Sequence, residues 1–358
     1  MSTTYPNAIR IADMPDLGEV TDATSLVGER AGSGRFSAPA LRSYLLEAPM
    51  SGAIGRNLLH NSMFQIAQRG AGPFTVSAYT LDRWASAFSA DTVSVAQQPL
   101  ADIFRAQIGD EEAEFALANT FTGNAGAGAY NFIFQRIENV RRLAGKTVTV
   151  SFWAICAAGT LKLGVNLYQN FGTGGSPSTG FFLPGQSVDI STSFARHSLT
   201  FTLPSASGKT LGTNDNDNTE LNFWYSCGAT NAALSGNVGV QSGTVWIWGV
   251  QLEIGTTATI LEKPDPRFDL SNCQRFYQVC YFSFGSSAAV GGSGATLMLP
   301  FTVPLRATPT IVPGYTTQAN CGSSTVTPQT WFGYHIYTVV TGAGNWAIEG
   351  SLTASAEL

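Results

Sequence analysis

Stretches that alternate apolar and polar residues recur along this chain, and little between them carries the 3.6-residue period of a helix. Residues 147–153, 161–168, 195–203, 220–225 and 243–253 are rich in β-branched or aromatic side chains, and each is followed by a Gly, Pro, Ser or Asn cluster. The best helical candidate in this region is 99–107. Parallel strands need long crossovers, usually helical, so period-two segments without them predict antiparallel sheets packed face to face. The reading over 57–262 is therefore a β-sandwich.

The strand pattern resumes near the C-terminus in 297–304 and 331–340, with a closing strand from Trp346. Pro300 and Pro304 place the first of these at a sheet edge or bulge, because proline cannot donate to a ladder. A short helix over 271–278, inside a connecting segment 263–279, would lead from the sandwich into this C-terminal β domain, 280–358. At the other end, 1–50 read as a separate module. Residues 25–29 face 34–38 across the Gly-rich connection 31–34 as a hairpin. Ser37 then offers an N-cap for a short helix with Pro39 in its first turn and Leu41, Tyr44 and Leu45 on one face. So small a unit cannot bury a core alone, and is expected to fold against a partner or against copies of itself. Residues 51–56 read as a linker.

Charge narrows the possibilities further. Only 12% of the 358 residues are charged, and between Phe276 and Ile348 the single charged residue is Arg306. A solvated surface is usually about a quarter charged, so much of this region is expected to be covered by another subunit. What stays open would suit neutral, hydroxyl-rich ligands. The net charge is -5 and no basic run exceeds Arg141–Arg142, which speaks against nucleic-acid binding. Five cysteines without CxxC spacing predict free thiols rather than a zinc or redox site. No apolar run reaches the length of a membrane span, and Met1–Arg10 lacks an apolar signal segment.

Asn57–Gly70, Tyr79–Trp84, Gln135–Glu138, Leu143–Ala154, Val250–Glu253 and Phe268–Tyr277 together carry a resemblance. They resemble the carbohydrate-binding-module-like domains of tailed-phage tail-fibre and appendage proteins, well over 57–277. Residues 13–45 loosely resemble the hairpins near the attachment ends of such fibres. The resemblance implies an all-β fold: a jelly-roll β-sandwich, a C-terminal β domain and a small N-terminal hairpin-helix attachment module. It further implies a homotrimeric virion appendage that assembles in the host cytoplasm and acts outside the cell. Its module 1–50 would meet other virion proteins, and its distal parts would contact host-surface glycan. A head-fibre, collar or decoration protein without a receptor, and a glycan-depolymerising tailspike-type enzyme, are the alternatives.

The residues for catalysis are thin. No GxSxG, HExxH or Walker-type sequence occurs, and His60, His197 and His335 are far apart. Asp110, Glu111, Glu112 and Glu114 read as a solvated acidic turn, while Glu138 and Glu253 read as ion-pair partners for Arg136, Arg83 or Arg141. The expectation is a non-catalytic protein without a cofactor. Asn214–Asn218 gathers hard oxygen donors, so calcium held by Asp215, Asp217 and Glu220 is a candidate that would order this loop. Sugars are gripped by aromatic faces ringed with hydrogen-bonding groups. Candidates are Tyr168, Gln169 and Asn170 at a strand end before the glycine loop 171–177, and Tyr315, Trp331, Tyr334, Tyr337 and Trp346 in the uncharged region. Trp84, Trp153, Trp224, Trp246 and Trp248 divide between core and surface.

Overall fold

A computed structural model describes residues 55–288 and 290–358, together with strands β1 (Ser25–Val27) and β2 (Arg35–Ser37). Two compact units emerge, Met1–Ile54 and Gly55–Leu358. In the first, β1 and β2 pair antiparallel with Leu26 opposite Phe36, as the Gly-rich connection predicts. The helix expected after Ser37, and the linker up to Ile54, lie outside the described residues.

The second unit opens with eleven strands: β3 (Ala85–Ser89), β4 (Thr92–Pro99), β5 (Phe115–Thr122), β6 (Tyr130–Glu138), β7 (Thr147–Cys156), β8 (Leu161–Asn170), β9 (Phe181–Phe182), β10 (Gln186–Ile190), β11 (Ala195–Thr202), β12 (Asn218–Cys227) and β13 (Ser242–Ile254). They form two sheets, ordered β10-β8-β12-β6-β3 and β11-β7-β13-β5-β4, with β9 beside β8. Every pairing within these sheets is antiparallel. The chain passes repeatedly from one sheet to the other, and its last two strands slot into the middle of each. β12 enters between β8 and β6, and β13 between β7 and β5. This Greek-key winding makes the sandwich a jelly roll.

Alternation explains the core. On β12, Leu221, Phe223 and Tyr225 enter the interior beside Phe152, Leu163 and Val165, all fully buried. A side chain such as Phe223 contributes about 2 kcal/mol on leaving water. Trp84 packs on Phe64 at 5.3 Å and on Phe223 at 6.2 Å, and Phe223 meets Phe152 edge-on at 5.1 Å. The second sheet's outer face is also covered. Trp246 meets Phe104 of helix α1 (Asp102–Ile108) at 5.2 Å, and Trp248 meets Trp153 at 5.4 Å.

Another helix, α2 (Ala232–Ser235), sits in the β12–β13 connection, and α3 (Pro266–Gln274) leaves the sandwich. The expected span for α3, 271–278, is displaced. The Asp265 carboxylate caps the Arg267 N–H at 2.9 Å and Pro266 takes the first turn, so the helix starts earlier and finishes before the next strand. Six strands follow: β14 (Tyr277–Ala288), β15 (Gly294–Pro300), β16 (Thr310–Ala319), β17 (Thr325–Thr330), β18 (Gly333–Val339) and β19 (Gly344–Ser355). They make two three-stranded antiparallel sheets, β14-β19-β16 and β15-β18-β17, around Phe282, Phe301, Tyr334, Ile336, Ile348 and Leu352. The proline-ended strand β15 is an edge strand, as its composition requires. All five cysteines are free thiols.

Ion pairs, buried at Glu357 and part-exposed at Glu138, tie the C-terminal sheets to the jelly roll. Arg69 and Arg83 both reach the Glu357 carboxylate, and Arg275 pairs with Glu138. The Tyr79 hydroxyl donates to the Leu358 carbonyl at 3.1 Å, and the Gln68 side chain donates to the Tyr277 carbonyl at 2.9 Å. These partners differ from the expected ones. Arg136 serves Glu220, Arg83 serves Glu357, and Glu253 accepts from Thr259 and Gln251 without an arginine. The chain reverses direction between these segments, so sequence proximity did not indicate the partner.

Candidate functional site

The outer face of the β10-β8-β12-β6-β3 sheet is a grid of cross-strand rows. Gly164, Trp224 and Phe132 form one row, Asn166, Asn222 and Phe134 the next, and Tyr168, Glu220 and Arg136 the third. Asn170, Asn218 and Glu138 close the grid. One end is sealed by the β12–β13 connection. A Cβ at Gly164 would lie 2.0 Å from the Ser235 carbonyl oxygen, so only glycine lets that loop lie flat on the sheet. Trp224 is buried there and donates its indole N–H to Asn166 at 2.9 Å.

The opposite end is open and aromatic. Tyr168 stacks on Phe182 with ring centroids 4.0 Å apart and planes 22° from parallel, and Phe182 is 40% exposed. Beside them, Glu220 accepts from Arg136 Nε at 2.8 Å. Burial pushes the Glu220 carboxyl up, and Arg136 pulls it the other way. Burial and the Glu220 charge together raise the Tyr168 phenol. Asn222 leans toward Glu220, yet neither its Oδ1 nor its Nδ2 completes a hydrogen bond of good geometry.

At the Glu138 end, by the junction with the C-terminal sheets, lies a polar cavity of about 620 Å³. Glu138, Asn139, Arg141, Arg142, Asp215 and Asp217 line it. Asn139 adopts φ 66° and its side chain accepts from the Arg141 N–H, which launches the short turn Val140–Arg142. Asp217 accepts from the Val140 N–H at 2.8 Å. Arg306 donates to the Asp215 carbonyl at 2.7 Å and to the Ala356 carbonyl at 3.1 Å, and approaches Glu138 at 3.9 Å. The lone charge of the uncharged region is thus spent at this junction.

Of the expected ligand residues, Tyr168 reaches the open face. Gln169 points the other way, is buried, and donates to the Pro204 carbonyl. Asn170 accepts from the Gly172 N–H and shapes the glycine loop. In the C-terminal sheets Trp331 is 49% and Tyr337 39% exposed. Tyr334 is a core residue against Phe301, Tyr315 packs on Phe282, and Trp346 on Phe284. Tyr334 and Tyr337 lie three apart on one strand and therefore occupy opposite faces.

Asp215, Asp217 and Glu220 do not converge, and among the described residues no group of three His, Cys, Asp or Glu side chains is arranged to hold a metal. The loop's asparagines are engaged by protein instead. Asn214 and Asn216 donate to the Thr173 hydroxyl at 3.0 and 2.8 Å. Counting oxygen donors did not reveal that use. Arg141, Arg142 and Asn139 were missed as lining residues, and the only hint in the sequence is their position just past the Gln135–Glu138 strand end.

No family model matches this chain, and no curated protein sequence matches it significantly. Among solved structures, the enzymatically active domain of bacteriophage CBA120 tailspike protein 4 aligns at 14% identity over 56% of this chain, with a TM-score of 0.31. The alignment spans 22% of the tailspike chain. The CBM22-1 xylan-binding domain of Paenibacillus barcinonensis Xyn10C aligns at 10% identity over 56% of this chain and 96% of its own, with a TM-score of 0.32. A family 11 carbohydrate-binding module from Clostridium thermocellum aligns at 10% identity over 52% of this chain and 95% of its own, with a TM-score of 0.31.

Proposed function

We propose that this chain is a subunit of a bacteriophage virion appendage that recognises host-surface glycan without covalent chemistry. The observation that carries the reading is the Tyr168–Phe182 stack, whose Phe182 ring is 40% exposed, beside the half-buried Arg136 held by the buried Glu220. An exposed aromatic face takes the CH side of a pyranose, and fixed carboxylate, guanidinium and amide groups meet its hydroxyls. The 1–54 unit would attach to other virion proteins. The C-terminal sheets expose Tyr281, Met298, Val312, Trp331 and Phe332 with little charge between them, a surface suited to packing against copies of the chain. In a trimer, three weak sites on one rigid body gain avidity through effective concentration.

Glycan cleavage is the competing reading. Glu138 and Glu220 share one sheet face as diagonal neighbours on adjacent strands, so two carboxylates of the kind a glycoside hydrolase uses lie on one face. Each carboxylate, however, is engaged by a guanidinium group, Arg275 and Arg136 respectively. Neither is free to take a water's proton, and the non-catalytic reading is preferred.

The folded protein is expected to adsorb to susceptible cells and to sediment at about three times 37.9 kDa. Tyr168→Ala combined with Phe182→Ala should weaken glycan binding about tenfold or more, since aromatic contacts of this kind contribute on the order of 1 kcal/mol each. Unchanged adsorption by the folded double variant would remove this face from the reading. Release of reducing ends from host glycan would favour cleavage.

A further inference from the structure

We infer that the junction cavity selects glycans bearing an anionic substituent, a carboxylate or a phosphate. This rests on the glycan-binding reading and names the class of ligand. Both arginines of the turn Val140–Arg142 line the cavity, both are exposed, and neither forms an ion pair among the described residues. Of the three carboxylates around them, Glu138 is already paired, facing Arg275 and Arg306. Asp215 and Asp217 form no ion pair among the described residues, and Asp217 is oriented by the Val140 N–H.

Four guanidinium groups, those of Arg141, Arg142, Arg275 and Arg306, therefore surround three carboxylates at one site of a chain whose overall charge is negative. The two uncommitted cations are neighbours on a short turn whose entry is fixed by the Asn139 and Asp217 side chains. A guanidinium fork binds a planar carboxylate or phosphate through two parallel charge-assisted hydrogen bonds, which a neutral hydroxyl cannot reproduce. The cavity adjoins the Asn170–Asn218–Glu138 row, on the same sheet face as the Tyr168–Phe182 stack. A sugar chain crossing that face would bring its substituents to the arginines, so the aromatic end would supply general affinity and the arginine end selection by charge.

The test measures binding of the full chain to oligogalacturonate, to a phosphorylated mannan and to the unmodified mannan. The expected result is at least tenfold tighter binding to one or both charged glycans than to the neutral one, with the difference shrinking as salt rises. Which charged glycan is preferred assigns the substituent as carboxylate or phosphate. Arg141→Ala with Arg142→Ala should abolish that difference and leave binding to unmodified mannan unchanged. Both side chains are exposed, so circular dichroism and the melting temperature should match the parent. Equal binding of charged and neutral glycans, or a charge preference that survives the double variant, would overturn the inference while leaving glycan recognition standing. Failure to bind any of the three glycans would count against both.

Discussion

Replacing Glu357 by alanine is expected to destabilise the Gly55–Leu358 unit by about 3–5 kcal/mol, the usual cost of orphaning one member of a buried ion pair. Glu357 meets Arg69 and Arg83, and the Arg83 side chain is 1% exposed. The Arg83 guanidinium lies 3.4 Å from the centroid of Phe276 and donates to the Arg136 carbonyl at 2.6 Å. It cannot swing into water without giving up both contacts. Its backbone adopts φ 68°, an uncommon conformation for a residue with a side chain, held here by the surrounding packing. The pair joins residues 274 apart in the sequence, and the Phe276 and Arg136 contacts hold the guanidinium in place for it.

The measurement is the guanidinium chloride midpoint of Glu357→Ala against the parent, with the denaturant slope compared as well. A companion variant, Glu357→Ala with Arg83→Met, removes the stranded charge and should recover a substantial part of the loss, because an apolar side chain of similar length does not carry the desolvation penalty. A loss below about 1 kcal/mol in the single variant, typical of a surface pair, would mean that the C-terminal sheets are not locked to the jelly roll through this pair.

The motifs that gave the clearest resemblance prove to be structural. Asn61 donates to the carbonyls of Ile66 and Asp82 and accepts from the Ile66 N–H. Gln135 exchanges two hydrogen bonds with the His60 backbone, and Asn57 both donates to the Val250 carbonyl and accepts from the Leu252 N–H. Burial and nearby arginines bring His60 down to about 3, so it stays neutral across the physiological range. Such side chains stitch an irregular entry segment onto the sheets, where regular ladders cannot satisfy its backbone. Period-two alternation made the long central strands legible because both sheets bury one face. It did not single out β3, β4, β5, β6 or β10; β5 and β6 lie inside their sheets, with runs such as Ala116–Asn119 and Ile133–Gln135 buried on both faces, so their burial does not follow a clean period of two. The Arg141–Arg142 cavity was not legible, because it forms only where a turn, a loop 75 residues later and Arg306 meet.

Trp84 sharpens the distinction between a scaffold and a sugar platform. As a ligand contact, its loss would weaken binding and spare the fold. The structure places it in the core at 0% exposure, between Phe64 and Phe223, with its indole N–H donating to the Asn61 carbonyl at 3.1 Å. Trp84→Ala should therefore cost about 3–5 kcal/mol, the sum of lost transfer energy and of a void that rigid sheets cannot close. Trp84→Phe should cost less, because the Asn61 carbonyl keeps a second donor in the Phe64 N–H at 3.2 Å. Denaturation midpoints of both variants, set beside glycan affinity measured where each remains folded, separate the two roles. Reduced affinity with an unchanged midpoint would move Trp84 from the core to the ligand face and would require the entry segment 57–70 to open in solution. The expected outcome is the reverse, a large fall in midpoint with affinity kept, which would leave recognition to the Tyr168–Phe182 face.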